Sequence, residues 1–213
     1  MNMFSYVILL GRPGCGKSVV YQLLTDRIRQ EKIADKVMRI DDFPILKEIA
    51  EQDKDFKKHI SSEGGFTITN RSIYDDVLKE MSHRIKALWK PGMLIFVEFS
   101  RSGYSQALEN FDRDVLNRAL IVYIYCPYEV CLDRNIRRFK EEATNLDEHI
   151  VPRDLMDKYY RYDDYEELFL KSEDELKKNA PASIIVIRND TEGLEKLERE
   201  VEKVVVALKT SSN

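Results

Sequence analysis

Residues Gly11 to Ser18 read Gly-Arg-Pro-Gly-Cys-Gly-Lys-Ser, a spacing that fits G-x-x-x-x-G-K-[ST]. Glycines placed this way let a backbone wrap closely with its N–H groups turned inward, and such a concavity binds an oxyanion. The apolar run Tyr6 to Leu10 precedes the motif, and a helical pattern opens at Val19. The motif works only at a strand-to-helix turn, where the positive end of the helix adds to the same place. Gly11, Arg12, Pro13, Gly14, Cys15, Gly16, Lys17, Ser18 and Val19 are therefore the expected cradle of a nucleoside triphosphate. Lys17 is expected to reach the β- and γ-phosphates, and Ser18 to hold Mg²⁺.

Other residues able to do chemistry follow further apolar runs. Asp41 and Asp42 come after Lys36 to Ile40. A pair of carboxylates there can deprotonate a hydroxyl or bind the polar groups of a substrate. Asp41 is the expected base; the alternative is that one of the pair caps the following helix. Glu98 sits near the end of the run Met93 to Phe99. A carboxylate in such a run is costly to bury unless it is paired or linked to a metal. It is expected to help hold Mg²⁺ and to line the substrate site, the alternative being an ion pair with Arg101. Arg101 itself is expected at substrate or phosphate.

After the run Ala119 to Tyr125, Cys126-Pro127 opens a helical segment carrying Arg134, Arg137 and Arg138. Positions i, i+3 and i+4 share one helix face, where three guanidiniums repel one another unless an anion lies opposite. Arg134 and Arg138 are expected to clamp the transferring phosphoryl group, with Arg134 also on the nucleotide. The alternative is surface pairing with Asp133, Glu141 and Glu142. Arg153 and Arg161 could swing in with a closing lid. After Ser183 to Ile187 comes Arg188-Asn189-Asp190, which places Asn189 near the base or else in a turn before Thr191. Arg71 is expected to reach the substrate pocket. The tyrosines of Tyr159-Tyr160-Arg161-Tyr162 could stack on a base, though such runs more often pack a helix face. His59, His83 and His149 have no metal-ligand spacing and are read as surface residues.

Five short apolar runs, β-branched and nearly continuous, must position these groups. They are the four just named plus Tyr6 to Leu10, which is how strands buried on both faces of a parallel sheet read. Amphipathic patterns lie between them: Val19 to Glu31, Ser72 to Trp89, Val130 to Glu141 and Glu192 to Leu208. Alternating strands and helices predict an α/β doubly wound sheet, whose ligand sits beyond the carboxyl ends of the strands. The expected organisation is a single domain over 1–213, with a substrate-binding insertion at about 43–92 and a lid at about 138–162. Within the insertion, Ser61 to Gly65 reads as a break between helical patterns.

The chain has 213 residues, 43% of them hydrophobic and 34% charged, with a net charge of −4. That length suits one domain, and the charge argues against a broad nucleic-acid surface. Cys15, Cys126 and Cys131 form no C-x-x-C pair, and their odd count frames no disulfide set, which suits a reducing cytosol. Met1 to Leu10 reads as a first strand rather than a signal peptide, and no apolar run has membrane-spanning length. A cytoplasmic location is expected.

Together these residues resemble the P-loop kinases related to nucleoside monophosphate kinases and polynucleotide kinases. Gly11 to Ser18 matches the family's Walker A motif. Asp41 matches the position of the catalytic aspartate in polynucleotide 5′-hydroxyl kinases and chloramphenicol phosphotransferase-like enzymes. Glu98-Phe99-Ser100-Arg101 is loosely similar to the acidic third-strand motifs of nucleoside kinases, departing from both their Glu-Arg-Ser and the adenylate-kinase Asp-Gly pattern. Arg134 to Arg138 resembles the start of the lid. The resemblance implies a three-layer fold with a five-stranded parallel sheet, order 2-3-1-4-5, a helical lid, and the use of ATP and Mg²⁺. No Asn-Lys-x-Asp motif and no Asp-x-x-Gly after the third strand are present, which excludes a signalling GTPase reading.

The leading expectation is an ATP-dependent phosphotransferase acting on a hydroxyl or phosphate of a small molecule, nucleoside or nucleotide. One alternative is a non-kinase ATP-binding switch or ATPase working through a protein partner. Another is a polynucleotide 5′-kinase, which the acidic stretch 141–175 disfavours.

Overall fold

The computed structural model describes residues 4–62, 65–141, 151–164, 183–190 and 193–210. Its central sheet is built from β1 (Tyr6–Leu10), β2 (Lys36–Asp41), β5 (Met93–Glu98), β6 (Ala119–Tyr125) and β7 (Ser183–Arg188). All neighbours are parallel, in the order β2-β5-β1-β6-β7. Counted by the sheet's own five strands, that is the expected 2-3-1-4-5. The labels are offset by a separate hairpin, β3 (His59–Ser62) with β4 (Gly65–Ile68), where only a break was expected. Those two short segments carry too few apolar residues to announce themselves as strands.

Side chains alternate across a strand, so the central strands divide their residues between two cores. Tyr6, Ile8, Leu10, Ile95, Val97, Ile121 and Tyr123 face one side, where they meet α3 (Ile73–Leu88) and the short helices α4 (Tyr104–Leu108) and α5 (Arg113–Leu116). Val7, Leu9, Leu94, Phe96, Leu120, Val122 and Ile124 face the other, covered by α1 (Lys17–Gln30) and the last helix, α8 (Leu194–Thr210). Both faces are dry, which is why these strands lack a polar alternation.

α2 (Asp42–Gln52) starts directly at the end of β2, and Asp41 is its N-cap, accepting a hydrogen bond from the Phe43 amide at 2.9 Å. The cap alternative weighed for this residue is therefore realised in the fold. His59, expected at the surface, is buried at the start of β3 with Nδ1 3.1 Å from the Asp53 carboxylate. The hairpin folds it inward, which no local pattern announced.

α6 (Tyr128–Glu141) carries the arginine cluster. Residues 142–150 of the expected lid, and Glu141's side chain, lie outside the described residues, as does Thr191. The described remainder, α7 (Arg153–Leu155) and a π-helical turn (Met156–Tyr160), is seated on the body. Met156 and Val151 are buried in the core, and Asn135 Nδ2 donates to the Val151 carbonyl at 2.6 Å. Among the described residues, no helix is long and apolar enough to cross a membrane.

Candidate functional site

β1 ends at Leu10 and α1 begins at Lys17, so the glycine motif occupies the strand-to-helix turn it requires. Gly14 and Gly16 have φ of +83° and +98°, a region L-residues rarely enter. A Cβ at Gly14 would lie 2.4 Å from the Cys131 carbonyl oxygen, and one at Gly16 would lie 2.3 Å from Asn189 Nδ2. Larger residues would fill the space the loop needs.

Lys17 is folded over this loop. Its Nζ donates to the carbonyls of Gly11 (3.0 Å) and Arg12 (3.1 Å) and to Ser100 Oγ (2.8 Å). Three donors meet three acceptors, so the nearly buried ammonium is satisfied. Ser100 also donates to the Gly11 carbonyl at 3.0 Å. It stands in the quoted Glu98-Phe99-Ser100-Arg101 segment, yet nothing in the sequence assigned it a role.

The loop is braced from several directions. Its Gly11 amide donates to the Tyr104 hydroxyl at 3.1 Å, and Asn189 Nδ2 donates to the Cys15 carbonyl at 2.8 Å. Asn189 thus buttresses the loop as well as standing near it. Arg12 lends its backbone to the loop while its side chain turns into the protein. Its guanidinium pairs with Asp163 at 3.1 Å and donates to the carbonyls of Tyr160, Cys126 and Arg161. Asp163 also accepts from the Tyr123 hydroxyl at 2.7 Å. Asp164 next to it accepts from the amides of Tyr104 and Ser105, both at 2.9 Å. Burial pushes the Tyr104 hydroxyl well above the usual tyrosine range and raises the Asp164 carboxyl too.

The carboxylates converge because β1, β5 and β2 are adjacent. Glu98 is in register with Leu9 on one side and Asp41 on the other. Glu98 is 7% exposed. Its ion-pair partner is Arg39 at 2.6 Å, with Arg39 also 3.5 Å from Asp41. This corrects the pairing with Arg101 weighed from the sequence: Arg101 binds Asp42 instead, at 2.6 Å. Burial raises the Glu98 carboxyl; Lys17 and Arg39 oppose the shift, while Asp41 and Asp42 add to it. Asp42 is likewise raised by burial, against the pull of Arg101. Lys17, Arg39, Asp41, Asp42 and Glu98 thus form one electrostatic cluster at the mouth of the loop.

On the far side, Arg134 NH1 donates to the Asn189 carbonyl at 3.1 Å and contacts Cys126 Sγ at 3.5 Å. Arg137 pairs with Asp133 at 2.6 Å, one of the surface pairs considered from sequence. With Glu129 and Asp190, Arg134 and Arg137 line a cleft of about 580 Å³. Arg138 lies on the same helix, one residue further on. Arg153 and Arg161 both face Asp157, at 3.8 and 2.6 Å.

Arg71 and Arg101 meet at the opposite end. The Arg71 guanidinium lies 4.1 Å from the Tyr159 ring centre and 5.9 Å from that of Tyr74. That of Arg101 lies 4.9 Å from Tyr74. The Tyr159–Tyr160 run is therefore set against arginines at this end of the site.

The cradle, the lysine and the acids suit a triphosphate with a divalent cation. Among the described residues, no three His, Cys, Asp or Glu side chains gather as a metal cage.

No family model matches the chain, and no curated protein matches it. Solved structures do match, along nearly its whole length. Kti12 of Chaetomium thermophilum, solved with ADP-AlF3, is 15% identical, covering 95% of this chain and 98% of that one at a TM-score of 0.57. TT1252 from Thermus thermophilus is 17% identical, covering 96% and 98%, at 0.55. The Mycobacterium tuberculosis APS kinase CysC, solved with AMPPNP and APS, is 15% identical, covering 97% and 98%, at 0.51. At such identities the likeness is one of fold. The chain shares its fold with these structures, the APS kinase among them.

Proposed function

We propose that this protein is an ATP-dependent phosphotransferase whose acceptor is a small molecule, nucleoside or nucleotide. The observation that carries the reading is the convergence of Asp41 and Glu98, at the ends of the adjacent strands β2 and β5, on Lys17 at the close of a braced glycine loop. The loop and Lys17 hold the triphosphate, and Arg134 and Arg138 attend the phosphates from α6. The cleft beside Arg134 receives the base. Ser18 and Glu98 would hold Mg²⁺, which would supply positive charge to offset that of the triphosphate. The acceptor lies against Asp41 and Asp42, with Arg71 and Arg101 beyond. Asp41 takes the hydroxyl proton as the acceptor oxygen bonds to the γ-phosphorus. The Pγ–O bond to ADP breaks, and ADP leaves with the electron pair. The domain limits follow: one domain, an acceptor-side insertion at about 43–92, and a lid at about 138–162.

³¹P NMR of the protein with Mg·ATP, alone and then with a pool of nucleosides, nucleotides and small metabolites, tests this reading. A pool-dependent phosphoester signal is expected. ATP bound but intact under every pool would favour a nucleotide switch acting on a protein partner. The observation that favours this second reading is that Asp41 is already engaged as the α2 cap.

Asp41→Asn separates the two roles of that residue, because asparagine caps a helix about as well as aspartate. The variant should melt like wild type while transfer falls by roughly 10²–10⁴-fold and slow ATP hydrolysis persists. Unchanged transfer would move the base to Asp42 or Glu98.

Glu98 makes cation binding pH-dependent. Its carboxyl is raised in the fold, so its contribution to stability is present below the usual glutamate range and lost as pH rises through the raised value. Holding a cation requires the opposite, ionised form. Mn²⁺ affinity of the AMPPNP complex should therefore begin to fall on acidification while the pH is still above the usual glutamate range. Calorimetry should find a flatter profile in Glu98→Gln; parallel profiles would remove Glu98 from the metal site.

A further inference from the structure

Arg71 and Arg101 lie within 6 Å of the same Tyr74 ring, and the Arg71 guanidinium also lies over the Tyr159 ring. Two guanidiniums so placed repel each other across a partly dry space, and the described acids answer only one of them. Asp42 and the Ser100 carbonyl both use Arg101 NH1. Its Nε and NH2 atoms are buried and have no hydrogen-bond partner. Those two nitrogens present N–H groups along one edge of the guanidinium, the fork that grips two oxygens of a phosphate or carboxylate. The Arg71 carbonyl accepts from the Tyr74 amide, but its guanidinium has no ion-pair or hydrogen-bond partner among the described residues. Stacking on Tyr159 occupies the face of its guanidinium and leaves the N–H edge available.

We infer that the acceptor is an alcohol bearing an oxyanion: its hydroxyl faces Asp41, and a separate phosphate, sulfate or carboxylate group is held by Arg71 and Arg101. The inference rests on the phosphotransferase reading and narrows its acceptor. A neutral nucleoside would leave the buried edge of Arg101 unpaired, and a cationic acceptor would meet two like charges. Asp42 links the two sets of charges, following Asp41 directly in the chain and pairing with Arg101 at 2.6 Å. Arg71 is exposed and meets the anion first; Arg101, 13% exposed, lies deeper. The anion takes no part in the bond changes and serves to set the hydroxyl in register with Asp41.

The test fills the P-loop with Mg·AMPPNP, then titrates inorganic phosphate while ¹H–¹⁵N spectra follow the arginine Nε–H resonances. Arg71→Lys and Arg101→Lys assign the two signals by their disappearance, and unchanged AMPPNP affinity in both variants shows that the fold stands. Phosphate is expected to shift both signals, and each variant to weaken its binding by about tenfold or more. Acetate and sulfate run in parallel name the anion, as the one that moves the two signals at the lowest concentration. Resonances unmoved by all three anions, or binding equally strong in wild type and both variants, overturn the inference. Failure of wild-type protein to bind AMPPNP overturns the phosphotransferase reading instead. The anion pocket is then judged from the same two signals in Lys17→Ala, whose P-loop no longer competes for phosphate.

Discussion

Lys17→Ala should bind nucleotide weakly and transfer phosphate at a rate reduced roughly a hundred- to a thousandfold or more, with the fold intact. The size follows from removing one preorganised charged donor aimed at developing charge. The fold should survive because the side chain's partners are the Gly11 and Arg12 carbonyls and Ser100 Oγ, at the mouth of the site where water can replace the ammonium. None of the core residues of α1, namely Val20, Leu24 and Ile28, is touched. Coupled ATP turnover together with a thermal melt decides the matter. A folded Lys17→Ala protein with wild-type turnover would sink the site assignment.

Asp163→Ala is expected to have the largest effect on stability. Asp163 and Arg12 are 2% and 10% exposed, so removing the carboxylate strands a buried guanidinium, a loss of about 3–5 kcal/mol. The carbonyls of Tyr160, Cys126 and Arg161 still accept from Arg12, which places the expectation at the lower end of that range. The 2.7 Å hydrogen bond from the Tyr123 hydroxyl to Asp163 is lost in the same step. For a chain of this length, the melting temperature should drop by roughly 6–12 °C. Nucleotide affinity should fall with it, since Arg12 is part of the loop and its side chain would lose its ion-pair anchor. Asp163→Asn, which keeps a hydrogen-bond acceptor but not the charge, should fall between. A melting temperature within about 2 °C of wild type in Asp163→Ala would show that the pair does not hold the loop.

The two sites differ in how they could be found. Lys17 lies inside a run of eight residues whose spacing carries its own mechanism. Three of the partners of Arg12, namely Tyr160, Arg161 and Asp163, lie about 150 residues away in a charged, tyrosine-rich stretch with no pattern of its own. The same contrast runs through the acids. The ends of β2 and β5 were readable as places for chemistry, because an apolar run that meets a carboxylate is a local signal. Which arginine each acid would meet was not. Glu98 pairs with Arg39 because β2 lies beside β5, and Asp42 pairs with Arg101 because α2 begins at once after β2. Proximity in sequence had suggested Glu98 with Arg101, three residues apart.

By itself, the sequence determined the strand-to-helix turn at Gly11 to Ser18, the five strands and the residues offered at their ends. These depend on periodicity, on glycine's access to positive φ and on short-range spacing, all of which act within one turn or one strand. The tertiary structure alone decided the bracing of the loop by Tyr104, Asn189 and Asp163, the meeting of Arg71 and Arg101 at Tyr74, and the burial of His59. Those contacts join segments distant along the chain. Their geometry comes from strand order and helix packing, which set neighbours that no local residue pattern encodes.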